Sequence, residues 1–258
     1  MFSPTPVSRY IIGPLQWYST LILGAIVLSF FLAKRDEKRL GLPKDIATDA
    51  FFYIVPAGVI GARVYYVVFK WHVFRENPIE MLYIWQGGLA IYGALIGGFL
   101  GLVLYVRRNT GLLPRLLDIY APCLAISQAI GRWGNYFNQE AYGYAVINPS
   151  HQFFPMAVKI VTGISAQWHY ATFFYEFLWN SAVFVLLSVI KKRLSRTGDL
   201  FICYIMCYGF GRAIIEGMRS DSLMAISGRI RVSQWLSAAL FVAAILYFSI
   251  RRLYERNK

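Results

Sequence analysis

The sequence predicts an all-α membrane protein with about seven transmembrane helices, its N-terminus outside and its C-terminus in the cytoplasm. Three observations predict this: too few charges for a soluble domain, seven long apolar stretches, and basic residues gathered on alternate connections.

The 258 residues are 57% hydrophobic and 17% aromatic, only 15% are charged, and the mean hydropathy is +0.48. A soluble domain carries about 25% charged residues. Disorder does not explain the deficit, because disordered chains are poor in apolar and aromatic residues. The excess apolar surface needs an apolar solvent, the lipid bilayer. A formal net charge of +13 raises nucleic acid as a partner. That function needs basic blocks on an aqueous folding unit. Here the charges separate long apolar runs, the pattern that sets membrane topology, so no nucleic-acid partner is expected.

A spanning helix needs about 20 mostly apolar residues. The expected spans are Leu15–Ala33, Asp49–Phe69, Gly87–Val106, Leu116–Trp133, Ala171–Ile190, Leu200–Gly217 and Ser233–Ile250. The first run follows a short polar arm and ends in Lys34-Arg35-Asp36-Glu37-Lys38-Arg39, unlike a cleavable signal peptide. The connections after the first, third and fifth spans, with the C-terminal tail, hold sixteen lysines and arginines, and the opposite side holds seven. The positive-inside rule then sets the orientation. One transmembrane domain, residues 1–258, is expected, with external loops at about 135–170 and 218–232. The first loop is aromatic and proline-containing and is expected to lie at the interface. Cys123, Cys203 and Cys207 all fall inside apolar stretches, where thiols act as small hydrophobes.

Three arginines remain inside or at the edge of the spans: Arg63, Arg132 and Arg212. Each costs about 2.5–3.5 kcal/mol or more near a bilayer centre, so such residues pair with acids, face a polar cavity or mark a site. Asp118 and Glu140 flank Arg132, and Glu176 and Glu216 lie in or beside the fifth and sixth spans. Tyr208, Arg212 and Glu216 recur every four residues and share one helix face. Internal pairing suffices as a reading of Arg63. Arg132 and Arg212 stand among other polar groups, which favours a site.

The densest polar run is Gly131-Arg132-Trp133-Gly134-Asn135-Tyr136-Phe137-Asn138-Gln139-Glu140-Ala141-Tyr142-Gly143. Its glycines are expected to break regular helix and admit a ligand. Arg132 offers a planar fork suited to phosphate. Asn135 and Asn138 add amide groups, and Glu140 orients the arginine or a hydroxyl. The run reads as a phosphate-recognising pocket. A second run, Gly87-Gly88-Leu89-Ala90-Ile91-Tyr92-Gly93, leads into Gly97 and Gly101, whose spacing lets membrane helices touch. Gly87 and Gly88, near a helix start, are placed to offer amide donors to an anion.

These residues resemble the prolipoprotein diacylglyceryl transferase family. Gly131–Gly143 matches its G-R-x-G-N-x-x-N-x-E-x-x-G signature at every fixed position, and Gly87–Gly93 is similar to its glycine-rich segment. A third block runs from Tyr208 through Arg212, Glu216 and Arg219 to Asp221, and Asp118 and Gln234 also match. Many members carry histidine where this chain has Tyr92. A phenol holds its proton to about pH 10 in water, which makes it a poor base at neutral pH.

The resemblance implies transfer of a diacylglyceryl group from phosphatidylglycerol to the lipobox cysteine of a prolipoprotein signal peptide. This would be the first step of bacterial lipoprotein maturation, done in the cytoplasmic membrane near its outer leaflet. The implied catalytic residues are Arg132, Arg212 and Tyr92. The lipid would be bound by Arg132, Asn135, Asn138, Glu140, Gly143, Tyr208, Glu216, Gly87 and Gly88. The substrate supplies the thiol, so no nucleophilic triad is required. No cofactor is implied, and no His/Cys spacing fits a metal. A transporter would instead show an internal repeat with paired broken helices, and the seven stretches are dissimilar. A purely structural subunit leaves three costly arginines without a reason.

Overall fold

A computed structural model describes residues 8–13, 15–162, 165–194, 196–220, 224–225 and 230–256. Each of the seven expected stretches is helical: α1 Trp17–Arg39, α2 Ile46–Phe69, α4 Ile91–Val106, α5 Leu113–Asn138, α6 Thr172–Ile190, α7 Asp199–Glu216 and α8 Val232–Arg256. A single turn, α3 Trp71–Phe74, follows α2. Four helices among the described residues are long and apolar enough to cross a membrane, namely 17–39, 46–69, 172–190 and 232–255. The chain is thus a polytopic, mainly helical membrane protein. Helix α4 is apolar but has only 16 residues.

Contacts gather into two compact units, residues 1–29 with 120–258, and residues 30–119. In the smaller unit α2 packs on α4 through small residues. A Cβ added to Gly101 would fall 2.5 Å from the Tyr53 carbonyl oxygen, and one on Gly97 would collide with the Ala57 carbonyl. The backbones touch where a side chain would otherwise stand, as expected from the spacing.

Several helix boundaries depart from expectation, and at α1 and α4 the reason is local. Helix α1 runs through the charged stretch to Arg39, because lysine, arginine and glutamate are good helix formers. Beyond it the buried Glu37 carboxylate accepts the backbone N–H groups of Asp45 (2.9 Å) and Ala47 (2.6 Å), an anion at the start of α2. Helix α4 starts at Ile91 rather than Gly87, because Gly87 and Gly88 both take positive φ. Their carbonyls accept Arg63 Nη1 at 2.8 and 3.1 Å, Nε donates to Met81 O at 2.8 Å, and Nη2 donates to Glu80 O at 2.6 Å. Tyr66 and Phe74 flank the guanidinium. The internal pairing expected of Arg63 is therefore with peptide carbonyls rather than with an acid.

In the larger unit the fold-bearing contacts join α6, α7 and α8. Val183 and Leu187 of α6 bury with Leu200 and Tyr204 of α7 and with Ala121 and Ala125 of α5. A Cβ on Gly209 would lie 2.7 Å from Ser237 O of α8, and Arg251 of α8 pairs with the buried Asp199 of α7. The stretch 135–170 carries an antiparallel hairpin, β3 Ala157–Thr162 with β4 Ser165–Tyr170. Val158 and Ile160 bury against Phe173 and Ala171, with Trp133 and Tyr136 beside them, and Val161 faces outward. Shorter hairpins pair β1 Tyr10–Ile12 with β2 Leu15–Gln16, and β5 Met224–Ala225 with β6 Ile230–Arg231. Much of the 218–232 loop lies outside the described residues.

Overpacking a membrane helix contact costs about 1–3 kcal/mol or more. Gly101→Val is therefore expected to lower the thermal midpoint in detergent. An unchanged midpoint would show that α2 and α4 do not need this close approach.

Candidate active site

The site grows from three helices of the larger unit. Arg132, Asn135 and Asn138 recur every three residues near the end of α5 and share one face. Arg132 pairs with Glu176 Oε2 of α6 and donates to Asn135 Oδ1 at 3.3 Å. Arg212 of α7 pairs with the other oxygen of the same carboxylate, Glu176 Oε1, at 2.6 Å, and with Glu216 Oε2 at 2.6 Å. Arg219 stands 3.8 Å from Glu176 and 3.9 Å from Glu216. Among the described contacts, three guanidiniums thus share two carboxylates. The arginine side chains are 12–16% exposed and the two glutamates 2–4%, so water screens these charges little.

Of the acids offered by the sequence, Glu176 and Glu216 take the arginines. Asp118 falls in the 30–119 unit. Glu140 is exposed and accepts Asn135 Nδ2 at 3.0 Å and Asn138 Nδ2 at 3.2 Å. Its own N–H returns to Asn135 O at 3.0 Å. That reversal requires positive φ at Gln139 (52°) and Ala141 (57°), a conformation costing about 1–3 kcal/mol at a non-glycine residue. The surroundings hold it: Gln139 Oε1 accepts Val161 N–H at 2.8 Å, and Ala141 O accepts the Thr172 hydroxyl at 2.7 Å.

The signature glycines do not break the helix as expected, since Gly131 and Gly134 lie within α5. Gly134 instead admits the Tyr18 ring, whose Cδ2 would meet an added Cβ at 2.5 Å. Gly143 lies between two chain segments. Its N–H bonds Tyr170 O, it bridges to Arg219, and an added Cβ would lie 2.7 Å from Tyr170 Cβ and 2.9 Å from Met218 O. The glycine lets the Arg219 segment close onto the end of the signature.

Tyr208 lies one turn before Arg212 on α7, its ring 5.9 Å from that of Tyr204. Tyr92, Gly87 and Gly88 belong to the 30–119 unit. There Tyr92 sits near Tyr65, and both glycines turn carbonyls to Arg63, an arrangement absent from the expectation that they offer amides to an anion. Gln234 donates to Ala213 O at 2.9 Å, and Asp221 lies outside the described residues. Glu176 is more central than its place in the sequence suggests. Its signal was available, a solitary carboxylate in an apolar helix, the same anomaly that marked the arginines. Arg231, whose Nη1 donates to Glu216 O at 2.6 Å, carried no such signal.

Fold and site define a polytopic helical membrane protein organised round a shielded arginine–glutamate cluster. The family model of prolipoprotein diacylglyceryl transferase matches residues 6–250. The chain is 42% identical over 247 residues to a phosphatidylglycerol–prolipoprotein diacylglyceryl transferase of Limosilactobacillus reuteri, covering 93% of this chain and 89% of that protein. It is 42% identical over 255 residues to the like-named protein of Enterococcus faecalis, covering 95% and 91%. The Halalkalibacterium halodurans relative is 39% identical over 245 residues, covering 93% and 84%. The chain belongs to the prolipoprotein diacylglyceryl transferase family and is a transferase.

Removing one partner of a buried ion pair costs about 3–5 kcal/mol. Glu176→Ala leaves Arg132 and Arg212 without their shared carboxylate and is expected to lower the melting temperature sharply. Glu140→Ala removes an exposed acceptor and is expected to shift it little. Equal shifts would remove Glu176 from the centre of the cluster.

Proposed function

We propose that the protein transfers the sn-1,2-diacylglyceryl group of phosphatidylglycerol to the lipobox cysteine thiol of a prolipoprotein. The observation that carries this reading is the meeting of Arg132 and Arg212 on one carboxylate, with Arg219 beside them. A group of guanidiniums held close together suits a phosphodiester, whose charge is negative. The two oxygens of Glu176 bridge two guanidiniums much as the two free oxygens of a phosphodiester would. The names of the relatives point to the same lipid and the same acceptor.

The reaction is a displacement. The substrate thiol releases its proton to water, and its sulfur forms a bond to the glyceryl carbon. The C–O bond to phosphate breaks, its electron pair leaves with oxygen, and glycerol 1-phosphate departs as a thioether remains. Charge grows on the departing phosphate, and fixed cations in a water-poor site stabilise such charge most effectively. Arg132 and Arg212 serve as this clamp, and their field favours the thiolate form of the incoming cysteine. Asn135, Asn138, Glu140 and Tyr208 bind headgroup hydroxyls or phosphate oxygens, Glu216 orients Arg212, and Gly143 gives room at the end of the signature. Gly87 and Gly88 contribute to lipid binding, and Tyr92 contributes to catalysis. Seven spans in one transmembrane domain, N-terminus outside, set this chemistry at the outer leaflet of the bacterial cytoplasmic membrane. The bilayer and the prolipoprotein signal peptide are the partners.

The test is purified protein in phosphatidylglycerol vesicles with a lipobox peptide, read by mass spectrometry. A mass gain of one diacylglyceryl unit is expected, and headgroup movement without covalent change would point to transport instead. Arg132→Ala and Arg212→Ala are expected to insert normally and to lose about 10²–10³-fold in rate, the usual loss for one such donor. Full activity in either removes the clamp. Joint replacement of Cys123, Cys203 and Cys207 by alanine is expected to leave transfer within a few-fold of wild type, and abolished transfer would indicate an enzyme-thiol intermediate.

A further inference from the structure

We infer that Trp179 is a positioning residue for the arginine cluster, setting Arg212 against Glu176 by fixing the register of α6 on α7. This rests on the proposed role of Arg212 in the clamp. Trp179 follows Glu176 by three residues on α6, so the two side chains share a face. Gly211 immediately precedes Arg212 on α7. A Cβ added to Gly211 would overlap Nε1, Cδ1 and Cε2 of the Trp179 indole, so the ring lies directly on the α7 backbone. The indole N–H also donates to the Cys207 carbonyl at 2.9 Å, one turn before Gly211, and the ring tilts onto Phe210 at 5.6 Å.

These contacts do what the ion pair alone does not. An arginine side chain has several rotatable bonds and follows a carboxylate through small helix shifts. The indole is flat, has two rotatable bonds, and is pinned at its edge by a directional hydrogen bond. Sliding α6 by one residue moves it about 1.5 Å. The flexible guanidinium follows its carboxylate through that shift, so the pair survives while Arg212 leaves its place in the clamp. Misplacement by about 1 Å can cost about 10²-fold in rate. Trp179 touches neither arginine in the described contacts and acts through the helix that carries Glu176.

The experiment is a double-mutant cycle in the vesicle assay with Trp179→Phe and Glu176→Gln, with melting temperatures measured for every variant. Trp179→Phe alone is expected to lower the transfer rate by about ten- to hundredfold. In the Glu176→Gln background it is expected to cost less than about twofold, because the residue through which it acts is already altered. A merely structural tryptophan would instead give equal losses in both backgrounds, and that result, or full activity of Trp179→Phe alone, overturns the inference. If Trp179→Phe does not fold, Gly211→Ala displaces the indole from the opposite helix and is judged by the same criterion. Transfer by wild type with additive losses overturns the role of Trp179 alone. Absence of transfer by wild type overturns the proposed function, and this role with it.

Discussion

The structure of the larger unit depends on one buried carboxylate. Glu176 gives one oxygen to Arg132 and the other to Arg212. Without it, two guanidiniums from separate helices would face each other in a medium that screens charge poorly. With it, α5, α6 and α7 meet at one point, and the cations stay shielded from water yet close together. The site is an electrostatic compromise between helices before it is anything catalytic. Hydrophobic packing in lipid does not supply such specificity, since lipid tails are as apolar as the side chains they would replace.

Much of this architecture was legible in the sequence because the bilayer imposes a severe rule on composition. Seven apolar stretches became seven helices, and the residues that broke the rule marked the cluster. Arg132 and Arg212 were visible because they are expensive where they lie. Their meeting on Glu176 was not visible, because the rotation of one helix about another is set by packing at positions such as Gly211 and Gly209. Sequence spacing says which residues share a face, and only the fold says which faces meet.

Other misses have equally local causes. The β3–β4 hairpin buries Val158 and Ile160 and exposes Val161, but the pattern is short and surrounded by aromatic loop residues. The glycines of the signature suggested a broken helix, yet two of them serve helical packing, and the chain reversal comes from Gln139 and Ala141. Arg63 looked like half of an ion pair because charged residues in membranes usually are. Four peptide carbonyls do the same work, and no sequence rule reveals carbonyl groups brought together by two glycines at positive φ.

That last arrangement differs in kind from the other polar joints. The α7–α8 junction rests in part on Asp199 with Arg251, and the cluster on Glu176 and Glu216, each a contact between opposite charges. At the glycine turn before α4 only one partner is charged, because the peptide oxygens receive the guanidinium as neutral dipoles. No second ion is stripped of its water there, so the turn is fastened at a lower desolvation cost than an ion pair demands.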